Sequence, residues 1–433
     1  MGTPASSAAT EDGAAPRRAT LWHNPDFARL WIGTTASYFA SQVSLLALPL
    51  TAVLALAASS AQVGYLSAVI QLPYLLISLF AGVVVDRVRR RNLLVGADLG
   101  RAAVLGVVPA LYWLHELGLT WLYAVGFVAG CGTVLFDVAS QAYLPRLVDR
   151  QDLGAGNSML SVSQSAATIG GPAIGGVLVQ WLTAPVSVCA SSISYLLSVI
   201  NIWLIRHREP AAEAPGGGGT AGTLHQVREG LGVVFRNEPL RTMTLMASTF
   251  NLCNAAFDVV FVQYMPRTLK MHPAEIGLVF AAVGPGFLFG AVLARKLPGV
   301  LGYGRTTFLC AAVANLVMPL IALTRGGGVL TTGILMAILF VFASFGVASN
   351  VTVLTIRQSL APDRLQGRVA ATNRFAALGI APLGALLGGA LGVLLGLRLT
   401  VLITTLGFSL ALIPLSMSSL VRLRSKLPDP ISG

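Results

Sequence analysis

The chain has 433 residues, of which 55% are hydrophobic and only 11% charged, and its mean hydropathy is +0.75. A soluble domain carries about a quarter charged residues and has no core large enough to hide this much apolar surface. Water is excluded as the main solvent, and the net charge of +12 has to be explained within a bilayer protein.

In chain order, residues 1–28 form an N-terminal tail rich in Ala, Ser, Gly and Thr up to Ala19, with no apolar run that would serve as a cleavable leader. A membrane-crossing helix needs about 20 apolar residues. Such spans are predicted at 29–56, 62–85, 92–114, 120–144, 156–179 and 186–205, and again at 241–262, 276–294, 306–323, 330–353, 369–393 and 400–420. The segments are continuously apolar instead of alternating, so they do not describe a barrel. Between the sixth and seventh spans, residues 206–240 hold four consecutive glycines at 216–219, a flexible tether, and a stretch at 224–235 that fits a short amphipathic surface helix. Residues 421–433 form a C-terminal tail. The expected fold class is therefore an all-α membrane protein, with twelve transmembrane helices in two six-helix bundles at 29–205 and 241–420.

The charges orient this array. Of the 29 Lys and Arg, only Arg267, Lys270, Arg325 and Arg398 fall on one predicted side, and Arg101 and Arg374 lie within spans; the others gather on the side of both termini. The positive-inside rule makes that side cytoplasmic, so the basic balance is an orientation signal and not a nucleic-acid footprint. Cys131, Cys189, Cys253 and Cys310 all fall inside predicted spans, without metal-ligand spacing, and read as small apolar filler.

Enzyme chemistries find no support. No phosphate-binding Gly-x-x-x-x-Gly-Lys run exists, and His23, His115, His207, His225 and His272 all lie outside the spans with no His-Glu-x-x-His. No metal or organic cofactor is expected; a proton gradient would supply the drive.

The two halves carry a weak internal repeat. Gln141-x-x-x-Pro145 closes the fourth span and Gln358-x-x-x-Pro362 follows the tenth, each ahead of a glycine-rich span with an internal proline. Same-direction repeats of six spans are a transporter architecture with the binding site between the halves.

Between the second and third spans runs Gly82-Val-Val-Val-Asp86-Arg87-Val88-Arg89-Arg90-Arg91. This resembles the G-x-L-x-D-R-x-G-R-[RK] loop of the major facilitator superfamily, with Arg89 in place of the second glycine. The resemblance implies a cytoplasmic gate made by Gly82, Asp86, Arg87, Arg90 and Arg91. The corresponding loop between the eighth and ninth spans keeps Gly290 and Arg295-Lys296 but has Ala294 in the acidic place. In the fifth span, Ala167-x-x-x-Gly171-Pro172-x-x-Gly175-Gly176 resembles the superfamily's exporter element, in which small residues permit close helix packing and the proline bends the helix. Segments at 24–31, 41–49, 136–148 and 357–368 look like the macrolide-efflux and enterobactin-exporter branch, although Ala40-Ser41 stand where that branch often has Gly-Asp. The implied activity is export of amphiphilic small molecules, such as a drug, a siderophore or a secondary metabolite, by alternating access in exchange for protons. An importer or facilitator, and a lipid-handling or non-transporting scaffold of the same fold, remain alternatives. The expected setting is the bacterial cytoplasmic membrane, multi-pass with both termini cytoplasmic, among membrane lipids, functional as a monomer.

Coupling candidates are few. The acids within spans are Asp98, Asp137 and Asp258, and intramembrane ionisable groups are costly enough to be functional candidates by default. Arg101 lies three residues after Asp98 on the same helical face, so that pair serves either as a structural or gating clasp or in coupling. Asp137 falls toward the cytoplasmic end of its span and Asp258 toward the outer end, with Asn251 and Asn254 on the Asp258 stripe. Tyr38, Phe39, Gln42, Gln164, Asn254, Phe257 and Phe261 are the candidate wall of a mostly apolar substrate cavity.

Overall fold

The computed structural model of the chain describes residues 24–77, 85, 88–149, 152–206, 237–360 and 379–418. Among them the regular structure is entirely helical. The first six helical bodies are α1 (Pro25–Ala55), α2 (Ser60–Leu76), α3 (Arg90–Trp113), α4 (Leu119–Leu147), α5 (Leu153–Leu182) and α6 (Ala184–Trp203). The second six are α7 (Glu238–Arg267), α8 (Pro273–Leu301), α9 (Tyr303–Leu323), α10 (Val329–Leu360), α11 (Ala381–Leu394) and α12 (Leu397–Met417). Ten are long and apolar enough to cross a membrane; α2 and α11 occupy the second and eleventh predicted spans and adjoin residues outside the described set. The amphipathic stretch at 224–235, both tails up to residue 23 and from 419, and Gly82, Asp86, Arg87 and Arg374 also lie outside it.

Local chemistry sets the helix ends. Asn24 caps α1, its Oδ1 accepting from the backbone N–H of Asp26 at 3.0 Å and of Phe27 at 3.1 Å, with Pro25 in the first turn where its missing donor costs nothing. Asn237 caps α7 in the same way, and a reciprocal Ser59–Gln62 capping box starts α2. These caps and the long side chain of Arg267 explain why α7 runs several residues past the predicted 241–262: the apolar stretch measures the hydrocarbon, while the helix continues into the interface. Pro49 removes a donor near the end of α1, which then loosens into a π-helical turn at Thr51–Ala55.

Inside the spans, hydroxyls turn back onto their own helix. Thr34 donates to the Leu30 carbonyl, Thr244 to Leu240 and Thr405 to Val401, which satisfies polar groups where no water reaches. The outward side chains are large and apolar, and Trp113, Trp121, Trp181 and Trp203 stand exposed at helix ends, the places where indole rings favour a membrane interface.

The helices α1, α3, α5, α7 and α9 begin at one face of the bundle, called here the near face; the opposite one is the far face. Within the first half α1 packs on α5 and α6, and α3 on α4 and α6; within the second, α10 packs on α8 and α9, and α7 on α11 and α12. The halves meet mainly through two pairs, α2 with α11 and α5 with α8, with α7 adding lesser contacts to α2. Both meetings are glycine-lined and lie toward the far face. A Cβ on Gly176 would stand 2.5 Å from the Gly277 Cα, and one on Gly64 2.9 Å from the Gly389 Cα, so at both places backbone rests on backbone. Beside them Arg267 Nη2 donates to the Ala58 carbonyl at 2.6 Å, and Ser60 Oγ donates to Gln263 Oε1 at 3.1 Å.

Candidate functional site

Toward the middle of the bundle from this far-face seam lies a cavity of about 580 Å³, walled by α1, α2 and α5 from one half and by α7 and α8 from the other. Its wall is largely aliphatic, with Gln42, Ser67, Gln71, Tyr74, Thr168 and Asn254 as scattered polar groups and Asp258 as its one carboxylate. Asp258 is exposed to the cavity, and its Oδ2 accepts from Asn254 Nδ2 at 2.8 Å. Among the described residues no cation stands in this lining. Few polar groups on an apolar wall suit an amphiphile, and a lone carboxylate on that wall suits a cationic group or a proton.

The exporter-like element builds one side of this cavity. Gly171 lets α1 approach so closely that a Cβ there would overlap the Gln42 side chain, and Gly175 faces Val43 and Leu46 of the same helix. Gly176 points the other way, onto Gly277 of α8 in the opposite half. Pro172, between them, lines the cavity and has no N–H for the Thr168 carbonyl one turn back, while the Thr168 Oγ1 donates to the Gln164 carbonyl at 2.9 Å. The element thus fastens α5 to its own half by one face and to the other half by the next residue.

Asp98 and Arg101 are arranged differently. They form an ion pair one helical turn apart on α3, with side chains 0% and 1% exposed. The guanidinium Nη2 also donates to Ser37 Oγ at 3.0 Å, and Nη1 reaches Ser41, Thr133 and Tyr195 at 3.3 to 3.5 Å. Its plane lies 4.7 Å from the Phe136 ring centre and 4.3 Å from that of Tyr195. Gly132 makes room for the stem, since a Cβ there would sit 2.7 Å from Arg101 Cγ. One arginine therefore ties α1, α3, α4 and α6 together. Asp137 lies between this cluster and the cavity: Tyr74, which lines the cavity, donates to Asp137 Oδ2 at 3.2 Å.

Of the wall residues expected from sequence, Gln42 and Asn254 line the cavity. Phe257 and Phe261 do not, and this corrects the expectation: they are 4% and 0% exposed and stack on each other at 4.7 Å within the aromatic core of the second half. The Asn254–Asp258 face of α7 points at the cavity, and Phe257, one residue before Asp258, is turned about 100° away from it. Tyr38 joins the first half's core beside Phe136 and Tyr143, Phe39 rests against Gly170 at the α1–α5 contact, and Gln164 is exposed a turn nearer the near face. Of the gate residues, Arg91 caps α6, its guanidinium donating to the carbonyls of Ile202 and Trp203 at the negative end of that helix. Arg90 opens α3. Ser67, Gln71 and Tyr74 are cavity residues that sequence reading missed; their spacing of four and three on an apolar span is the signal that marks them as one face.

The chain's similarities agree with this architecture. The sequence model of the Major Facilitator Superfamily matches residues 30–382. The chain is 26% identical over 326 residues to the multidrug efflux pump Tap of Mycolicibacterium fortuitum, covering 73% of this chain and 77% of that protein. It is 24% identical over 231 residues to macrolide efflux protein A of Enterococcus faecalis, covering 51% of this chain and 68% of that one. Its fold matches a bacterial homologue of the iron transporter ferroportin in an inward-facing state, with a TM-score of 0.69 at 15% identity, over 91% of this chain and 99% of that structure.

Proposed function

Since the chain belongs to the Major Facilitator Superfamily, a family of multi-pass membrane transporters, we propose that it exports amphiphilic small molecules across a bacterial cytoplasmic membrane in exchange for protons, with Asp258 as the exchanging group. The near face, where the arginine-rich ends gather, is the cytoplasmic one in this reading, and both termini lie there. The carrier acts by binding and conformational change, without catalysis or cofactor, and it acts as a monomer. The observation that carries the reading is the cavity between the halves with its single carboxylate, sealed toward the far face by backbone-on-backbone contacts. The efflux relatives supply the direction.

The physical logic is a desolvation lock. While the cavity is open, the Asp258 carboxylate is hydrated and costs little. Closing the cavity around the charge strips that water, at about 3 kcal/mol by insertion scales for an acid in mid-membrane. A proton on Asp258, or a cationic group of a substrate beside it, removes that cost, so the loaded states interconvert about a hundredfold more readily than the empty, charged one. A carrier that turns over only when loaded is an exchanger. Rocking then requires the Gly176–Gly277 and Gly64–Gly389 contacts and the Arg267–Ala58 bond to part.

The test is efflux of a labelled macrolide and of ethidium from cells and from proteoliposomes, with and without a proton gradient. Asp258→Asn is expected to abolish gradient-driven accumulation while leaving exchange of substrate down its own gradient. Gradient-driven efflux unchanged in both Asp258→Asn and Asp137→Asn would remove the proton assignment. Substrate-independent lipid scrambling by the purified protein would favour a lipid-handling role.

A further inference from the structure

A second cavity, of about 530 Å³, lies wholly within the C-terminal half, between α7, α8, α9, α10 and α12. Its chemistry is unlike that of the first. Among the described residues no acid or base lines it. Instead it carries four asparagines, Asn251, Asn254, Asn315 and Asn350, among Met and Phe side chains. A volume of several hundred cubic ångströms with a mostly apolar wall and a few fixed polar groups is the form of a small-molecule site.

Three of the asparagines are oriented by their partners. Asn251 Nδ2 donates to the Ala247 carbonyl at 2.8 Å, Asn315 Nδ2 to the Phe408 carbonyl at 2.9 Å, and Asn254 Nδ2 to the Asp258 carboxylate at 2.8 Å. Backbone carbonyls, and Asp258 while it is ionised, accept and cannot donate, so these contacts require the nitrogen and decide which way each amide is turned. Among the described residues no donor reaches the three side-chain oxygens, each of which has two lone pairs. Such a wall favours a ligand with N–H or O–H donors. It gives a cation no counter-charge, which in a low-dielectric setting is a heavy penalty. The methionines Met243 and Met246 add a flexible apolar surface that adapts to flat bodies of different outline.

We propose that this cavity is a second substrate site, taking uncharged amphiphiles that bear hydrogen-bond donors, while the Asp258 cavity takes cations. The proposal rests on the reading of the chain as a carrier of amphiphiles and divides that substrate class between two places. The two sites share a wall, because Asn254 lines both.

Two filling variants separate the sites. Gly346 lines the second cavity, and a Cβ there meets nothing within 4 Å, so Gly346→Phe projects a ring into open space; Ser67 lines the Asp258 cavity from α2, and Ser67→Phe adds bulk to that wall. Binding of chloramphenicol, an uncharged aryl amide diol, and of ethidium, a permanent cation, is measured on the full-length protein in detergent with no gradient, and each variant's thermal unfolding is recorded alongside. Gly346→Phe is expected to weaken chloramphenicol about tenfold or more and to leave ethidium unchanged, and Ser67→Phe to do the reverse, with unfolding temperatures like the parent's. Chloramphenicol binding that is absent from the parent, insensitive to Gly346→Phe, or lost together with ethidium in a well-folded Gly346→Phe protein would overturn the second site. These are equilibrium measurements, so gradient-driven efflux that persists unchanged in both Asp258→Asn and Asp137→Asn would count against the proton-exchange reading and leave this result intact.

Discussion

Two aspartates in the same apolar setting show how surroundings decide what an acid does. Asp98 is sealed in the N-terminal half, paired with Arg101 and reached by Ser37, and its guanidinium partner is gripped by four helices. Asp258, on the α7 face of the central cavity, has one amide for company and open space in front of it. The first carboxylate is already neutralised by a fixed cation, so a proton has little to add and the group serves as an internal fastener. Among the described residues no cation faces the second, which in the proposed reading leaves it able to exchange one partner for another. The halves accordingly differ: one is pinned from inside by this pair, and the other carries the cavity carboxylate and both cavities' shared asparagine.

The comparison breaks first at the pinned pair. Asp98→Asn or Arg101→Met alone leaves a buried charge uncompensated and is expected to cost about 3–5 kcal/mol, seen as lost yield or a collapsed unfolding temperature in detergent; the double variant, with no orphaned charge, should recover much of it. Equal damage from the double and single variants would show that the pair is not the fastener. Asp258→Asn should behave in the opposite way: unfolding within about 0.5 kcal/mol of the parent, as for a substitution away from packed features, and gradient-driven efflux reduced about a hundredfold. A destabilised Asp258→Asn protein would place that residue with Asp98.

A smaller effect is expected at the seam. Gly277→Val forces a side chain against the Gly176 backbone, an overpacking cost of about 1–3 kcal/mol borne only by the far-face-closed form. Cysteine accessibility along the cavity should show that form depleted relative to its alternative. Smallest is Arg267→Gln, which removes the bond to the Ala58 carbonyl and should shift the same equilibrium by about 1 kcal/mol. An unchanged accessibility pattern in both variants would mean that the seam does not hold the closed form.

The span plan was legible because hydrocarbon thickness imposes itself on composition, and the Asp98–Arg101 pair was legible because its spacing is one helical turn. The glycines of the fifth span also pointed to close packing, though only the fold tells that Gly171 serves α1 and Gly176 serves α8. Rotational phase was not legible. In water a helix shows which side faces inward through its polar stripe, but in lipid both the membrane side and the packed side are apolar, so the pattern that would have separated Asn254 and Asp258 from Phe257 and Phe261 is nearly erased. The exception was α2, where Ser67, Gln71 and Tyr74 retain such a stripe.

The far-face fastening has one further property. Arg267 holds a peptide carbonyl, and Ser60 holds an amide, so no partner in either bond gains or loses a proton over the physiological range. The acidity of the medium on that face therefore leaves the strength of these bonds alone. In the proposed orientation, these two bonds would resist opening equally in an acidic and in a neutral medium.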